Sequence, residues 1–251
     1  MSDAPRPSAS NVALLIDADN ASPAGIDPVL SVLAELGTVN IRRAYGNWAK
    51  PALNKSWAPL CHRYGIEPQQ QFDITKGKNA TDMKMTIDAM DLLFRGRVDA
   101  FGIMSSDSDF MPLAMRLRQD NITVYGFGNP TTPEGFREAC NRFIDVSALV
   151  KSAEADNGAA EAAQPANPSA SEGGPVDDDL IDLLGRAWKA SKRDEAGYAL
   201  ISEVGQRAGN RSSFDTRNYG HASLSKLFAA TDHFHMKKRE NDGQWVVKRV
   251  R

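Results

Sequence analysis

Two stretches decide the fold, NVALLIDADN at 11–20 and VDAFGIMSSDSDF at 98–110. Each is a short, continuous apolar run that stops on carboxylates. A run of this length closed by turn-forming residues is the pattern of a strand buried on both faces. Outward from them the pattern changes period. PAGIDPVLSVLAELG (23–37) sets Ile26, Val29, Leu30, Leu33 and Leu36 at helical spacing and closes on Gly37, a C-cap residue. TVNIRRAYG (38–46) reads as a strand, ALNKSWAPLCHRYG (52–65) as a short helix and IEPQQQF (66–72) as a weak strand. ATDMKMTIDAMDLLFRG (80–96) is predicted helical with Met83, Ile87, Met90 and Phe94 on one face; Met83, Met85 and Met90 are assigned to core filling. SDFMPLAMRLRQDN (108–121) is a helix despite Pro112, ITVYGFG (122–128) a strand, and TTPEGFREACNRF (131–143) a helix opened by Thr-Pro. Strands alternating with helices imply an α/β domain, a parallel sheet covered on both faces.

Residues 151–175, KSAEADNGAAEAAQPANPSASEGGP, carry almost no large apolar side chain and read as a flexible linker. The chain is thus divided into a disordered N-terminus (1–10), an α/β domain (11–150), the linker, and a small domain (176–251). In the last, DDDLIDLLGRAWKAS (177–191), YALISEVGQRAG (198–209) and ASLSKLFAATD (222–232) are helices. Two strands then flank Asn241-Asp242-Gly243, a hairpin signal. Three helices and a hairpin make a winged-helix pattern.

Over its 251 residues the chain has a net charge of −2, which excludes a basic nucleic-acid coat over the whole surface. The charge is uneven: from Leu183 onward Lys and Arg number 14 against 7 acids. Two cysteines, Cys61 and Cys140, build neither a disulfide framework nor a Cys-based zinc site, and they point to a reducing, cytoplasmic setting. Neither has a basic neighbour to activate it, so both read as structural thiols. No apolar leader and no membrane-spanning run is present in the sequence.

In open α/β sheets the reacting site lies beyond the carboxyl ends of the strands. Three separate segments bring carboxylates there: Asp17 and Asp19 end the first strand, Asp107 and Asp109 follow FGIMSS, and Asp82 lies in the first turn of its helix. A single Asp at a strand end is often only a turn former or N-cap. Several converging on one edge repel each other unless a cation or a basic partner sits among them. Oxygen-only donors favour Mg²⁺ or Mn²⁺ over zinc. Such an ion can orient a phosphodiester and activate water. Lys76 and Lys78, in TKGKNATD, and Ser105 and Ser106 are candidate phosphate contacts, and Asn20 a residue that orients water. Asp88, Asp91 and Asp99 read as solvated charges. A haloacid-dehalogenase-type phosphatase would want Thr or Val where Ala21 stands, and a Toprim site would want an earlier Glu. No glycine-rich phosphate loop follows the first strand, so no nucleotide cofactor is supported.

LLIDADN (14–20), TKGKNATDMKMTIDAMDLL (75–93), VDAFGIMSSDSDFMPLAMRLR (98–118), TVYGFGN (123–129) and TPEGFREACNRFI (132–144) closely resemble the NYN domain in its LabA-like bacterial branch, which is related to PIN nucleases. The resemblance covers about 11–149. It implies a Rossmann-like, PIN-like sheet, a Mg²⁺ or Mn²⁺ site and RNA cleavage. Carried over by position, Asp17, Asp82 and Asp107 are the metal ligands, Asp109 the fourth acid and Asn20 an accessory polar residue. GYALISEVGQRAGNRSSFDTRNYGHASLSKLF (197–228) is similar to the LOTUS, or OST-type helix-turn-helix, domain. That likeness implies a small winged helix that binds RNA, G-rich RNA among its reported preferences, or a helicase in some animal relatives. Arg207, Arg211, Arg217, Lys226, Lys237, Lys238 and Arg239 are its candidate phosphate contacts; Tyr198, Tyr219 and Trp245 read as core. The expected function is a metal-dependent ribonuclease whose RNA is recruited by a tethered winged helix. Alternatives are a non-catalytic RNA-binding regulator and a small-molecule phosphohydrolase. Exposed apolar and Arg-rich faces leave room for a homodimer, which no residue pattern demonstrates.

Overall fold

The computed structural model describes residues 10–72, 80–160, 177–209, 212–239 and 243–250. Two compact units divide at residue 150, within the helix Val146–Ala160 that begins at the end of the first. In the first, the chain runs β1 (Asn11–Asp17), α1 (Ile26–Leu36), β2 (Thr38–Gly46), α2 (Pro51–Tyr64), β3 (Glu67–Gln70), α3 (Ala80–Phe94), β4 (Ala100–Met104), α4 (Met111–Gln119), β5 (Thr123–Gly128), α5 (Glu134–Ala139), β6 (Arg142–Asp145) and α6 (Val146–Ala160). Among the described residues the six strands pair in parallel in the order β3-β2-β1-β4-β5-β6. This is the Rossmann-type order, with its topological switch between β1 and β4.

Side chains alternating along β1 feed two cores. Val12, Leu14 and Ile16 pack on one face with Ile26, Val29 and Leu33 of α1, with Trp57 of α2, and with Leu149 of α6. Ala13 and Leu15 pack on the other with Met85, Ala89 and Leu92 of α3, and with Leu113 and Leu117 of α4. Both faces of the sheet are therefore covered, as the unbroken apolar runs of β1 and β4 require.

Four local readings change. The segment 131–143 is not one helix: α5 ends at Ala139, Cys140 takes extended backbone (φ −80°, ψ 154°), and 142–145 add an edge strand. Phe136, Cys140 and Phe143 share helical spacing, which hid the break. Residues 151–160, given to the linker by composition, continue α6, in keeping with the high helix propensity of their alanines. Asp88 is buried rather than solvated: the Tyr45 hydroxyl donates to its Oδ2 at 3.1 Å, and Lys84 and Arg43 pair with it at 2.7 and 3.4 Å. Of the methionines on α3, Met85 is core, Met90 is half-buried and Met83 stands exposed.

The second unit runs α7 (Asp178–Ala190), β7 (Ala199–Leu200), α8 (Ile201–Gly209), α9 (Leu224–Ala229), β8 (Phe234–Lys238) and β9 (Trp245–Arg249), with an antiparallel sheet ordered β7-β9-β8. Asp177 caps α7, its side chain accepting from the Leu180 amide at 2.9 Å. Leu180, Leu184, Val204, Leu227, Phe228 and Val247 form the core of this winged-helix arrangement. Of the aromatics read as core, Tyr219 packs against it, whereas Tyr198, half-buried, and Trp245 are not part of it. Trp245 is 41% exposed, with Lys238 Nζ 5.3 Å from its ring centre. The expected N-terminal disorder falls mostly on 1–9, outside the described residues, as do the linker from 161 to 176, Lys76, Lys78, Arg211, and Asn241-Asp242 of the hairpin turn. No described helix is long and apolar enough to cross a membrane.

Candidate metal centre

The carboxyl ends of β1 and β4 lie side by side, Ile16 in register with Met104. Immediately beyond them the chain leaves each strand through a tight turn. After β1, the amides of Asn20 and Ala21 return to the Asp17 carbonyl. After β4, Asp107 caps a short 3₁₀ turn, its side chain accepting from the Asp109 amide at 2.9 Å, while the Asp107 amide donates to Ser105 Oγ at 3.1 Å. These turns aim carboxylates outward over the switch point. α3, entering from the side, adds Asp82 in its first turn.

The result is a cluster. Carboxylate oxygens of Asp82, Asp107 and Asp109 lie within 4.8 Å of one another. Asp17, expected as a ligand, is not one of that group; it is completely buried, near enough for its charge to act on Asp82. Its Oδ2 accepts from Ser105 Oγ at 2.8 Å and Asn20 Nδ2 at 3.0 Å, and its Oδ1 is buried with no hydrogen-bond partner among the described residues. An unsatisfied buried carboxylate oxygen costs the full desolvation of that atom unless something absent from the bare protein meets it. Burial pushes the Asp17 carboxyl above its ordinary range. Asp82 is pushed up to about 6, first by burial and then by the charges of Asp17, Asp107, Asp109 and Asp19. Charge repulsion of this kind is what a divalent cation relieves. With oxygen atoms as the only donors, the set fits a hard ion such as Mg²⁺ or Mn²⁺.

Asp19 takes a separate role. Thr81 donates to it at 3.1 Å and Lys50 pairs with it at 3.3 Å, so it ties the β1 turn to the start of α3 and to the segment leading into α2. Thr81 and Lys50 were missed by sequence reasoning; the Thr-Asp pair opening α3 was the available signal. Of the two serines expected to contact phosphate, Ser105 lies at the centre with its hydroxyl donating to Asp17, whereas Ser106 Oγ accepts from the Asn129 amide and links the ends of β4 and β5. Of the C-terminal basic candidates, Arg207 is paired with Glu203 and Arg217 with Asp215.

Strand order, placement at the switch point and an all-carboxylate donor set together define an α/β domain of the PIN-like kind. The NYN domain family matches residues 11–149, more than half of the chain, and the chain belongs to that family, part of the PIN-like nuclease superfamily. The OST-HTH/LOTUS domain family matches residues 175–246. An uncharacterized protein of Methanocaldococcus jannaschii is 28% identical over 138 residues. The match takes in 53% of this chain and 52% of that one, so the chain spans about half the length of the curated relative. A crystal structure of a Vibrio parahaemolyticus protein of unknown function is similar with a TM-score of 0.48 at 19% identity, over 57% of this chain and 96% of its own.

Proposed function

We propose that the protein is a Mg²⁺- or Mn²⁺-dependent ribonuclease of the LabA-like branch, working in the cytoplasm, with its C-terminal winged helix recruiting RNA. One observation carries the reading: Asp82, Asp107 and Asp109 converge near a buried Asp17 that has an oxygen without a partner among the described residues. In this reading Asp82 and Asp107, supported by Asp17, hold the ion, and Asp109 positions the attacking water or a second ion. The ion, when bound, supplies Lewis acidity toward the phosphodiester and the water. Ser105 and Asn20 fix the Asp17 carboxylate so that one oxygen remains directed away from the protein's own donors. Lys50, held near the centre by Asp19, is placed to meet a phosphate at the rim. In the second unit Lys237 and Lys248 lie 4.3 and 5.8 Å from the Tyr198 ring centre, a basic and aromatic surface suited to an RNA strand.

The test is cleavage of a 5′-labelled single-stranded RNA with Mg²⁺, with Mn²⁺ and with EDTA, comparing wild type with Asp107→Asn. Metal-dependent cutting that the substitution abolishes, with RNA binding retained, supports the proposal. Equal binding by both proteins with no cutting in either would make the chain an RNA-binding regulator.

A further inference from the structure

We infer that a cavity toward the amino ends of the strands, away from the acidic centre, binds a nucleoside monophosphate, with the phosphate held by Arg95 and Arg97. The cavity has a volume of about 450 Å³ and is lined by Ile41 and Arg43 of β2, by Leu92 near the end of α3, and by Arg95, Arg97 and Val98 of the turn into β4. That volume lies within the range of small-molecule sites. The length of α3, about 18 Å from Asp82 to Phe94 at about 1.5 Å per residue, separates it from the acidic centre. Gly96 shapes the cavity. Its φ of 64° is left-handed and its amide donates to the Leu93 carbonyl, so the chain reverses directly after the helix. Arg95 and Arg97, on either side of that reversal, therefore line one cavity instead of diverging.

The charges around the cavity select the ligand. Arg43 is already engaged: its Nε pairs with Glu67 at 3.1 Å and its Nη1 with Asp88 at 3.4 Å, and Asp88 also holds Lys84. Those two cations and two anions balance one another. Asp99, two residues after Arg97, accepts from the Asn11 amide at 2.7 Å. Arg95 and Arg97 are exposed, and among the described residues their guanidinium groups have neither an ion pair nor a hydrogen bond. The negative end of α3 accounts for one cation at this point, not for two lining one cavity. Two guanidinium forks match a phosphate group, each able to donate two parallel hydrogen bonds to its oxygens. A phosphodiester inside a chain offers them a single charge, whereas a phosphomonoester offers close to two. Beside the guanidiniums, Ile41, Leu92 and Val98 form an apolar wall. Leu92 and Val98 are core residues showing only 5% and 6% of their surface, so the wall is fixed before a ligand arrives. A sugar and base can cover that wall, and a planar guanidinium can stack on the base. Inorganic phosphate would fill only the charged part. The inference is independent of whether the acidic centre cuts RNA.

Isothermal titration calorimetry of the full chain with adenosine 5′-monophosphate tests it, in EDTA so that no ion bridges the phosphate to the acidic centre. Wild type is expected to bind one equivalent. Arg95→Ala and Arg97→Ala together should raise the dissociation constant about a hundredfold, the loss of two charge-assisted contacts. Arg97→Lys should raise it about tenfold, because an ammonium replaces a fork with a point charge. Thermal melts of these variants should match wild type, since both side chains are exposed. Adenosine, lacking the phosphate, should bind about a hundredfold more weakly. Inorganic phosphate, lacking the apolar part, should bind about tenfold more weakly. Absence of binding at millimolar nucleotide overturns the inference. So does binding that the double variant retains, adenosine that binds as tightly as the monophosphate, or inorganic phosphate that does.

Discussion

Replacing Asp17 with Asn should give a protein more stable than wild type without metal and less stable than wild type with it. The substitution keeps the shape of the side chain and an oxygen able to accept from Ser105 and Asn20, while removing a fully buried charge. Two charge-assisted hydrogen bonds become neutral ones, a loss of about 1 kcal/mol each. Against this, an ion with one unpartnered oxygen no longer has to be kept out of water, which relieves several kcal/mol. The net expectation in EDTA near neutral pH is a variant more stable than wild type by about 2 kcal/mol. For a domain of this size that raises the midpoint by about 5–8 °C. Metal reverses the order. A ligand at a hundred times its dissociation constant stabilises the folded state by about 2.7 kcal/mol. Wild type should gain that amount and Asp17→Asn very little. Calorimetry of both proteins in EDTA and in Mn²⁺ resolves the transition of the first unit from that of the second. The reasoning fails if Asp17→Asn is the less stable protein in EDTA, or if neither ion moves the wild-type transition.

Other consequences follow from the same geometry. Asp82 and Asp17 hold protons more tightly when folded, so the metal-free fold binds more protons than the unfolded chain between about pH 4 and pH 6, and its stability should fall as pH rises through that window. Asp82 is only half-buried, so its share, discounted for solvent screening, is about 1 kcal/mol; urea denaturation in EDTA at either end of the window checks the sign, and a rise with pH would refute it. Asp88→Ala leaves the Tyr45 hydroxyl and Arg43 without their shared acceptor and should cost about 3 kcal/mol in urea denaturation, while Asp91→Ala on the exposed face should cost almost nothing. Gly128→Ala would set a Cβ 2.8 Å from the Ser105 carbonyl oxygen and 2.6 Å from Thr132 Oγ1, so it should lower stability by about 1–3 kcal/mol and weaken Mn²⁺ stabilisation as Ser105 shifts. Lys237→Ala should lower RNA affinity and make the logarithmic salt slope shallower by about 0.7, the contribution of one single-strand phosphate contact; an unchanged slope would remove this surface from the RNA interface.

The acidic centre was readable because each carboxylate follows a strong local signal. Asp17 and Asp107 end uninterrupted apolar runs, and Asp82 opens an amphipathic helix. Strand order then does the rest, since β1 and β4 are neighbours at the switch point. What escaped the sequence was whatever required knowing which of two faces is inward. α3 carries two apolar stripes, 85–89–92 and 83–87–90–94, both at helical spacing. Periodicity alone ranks the longer one as core, yet the sheet takes the shorter. Asp88 shares the chosen face, so its burial was hidden by the same ambiguity. β6 was lost for a related reason. Phe136, Cys140 and Phe143 keep helical spacing across a change of backbone from helix to strand, and all three point into one core. Composition misled at 151–160, where alanine serves a linker and a helix equally well.

The buried network on α3 explains how the fold tolerates so much like charge at one edge. Repulsion among Asp82, Asp107, Asp109 and Asp17 pushes α3 away from the end of β4, and Asp82 sits on the first turn, where helix ends open most easily. Six residues further along, Asp88 is gripped by Tyr45 and Arg43 from β2 and by Lys84 from its own helix, while Met85, Ala89 and Leu92 are packed on the sheet. Thr81, bonded to Asp19, holds the first turn itself to the end of β1. The repulsive groups are thus carried by a helix anchored on both sides of them. Opening would have to break a buried charge network and an apolar contact to relieve the repulsion of Asp82 with its acidic neighbours. The carboxylates are consequently held close before any cation arrives, which is the preorganisation that tight coordination of a small hard ion requires.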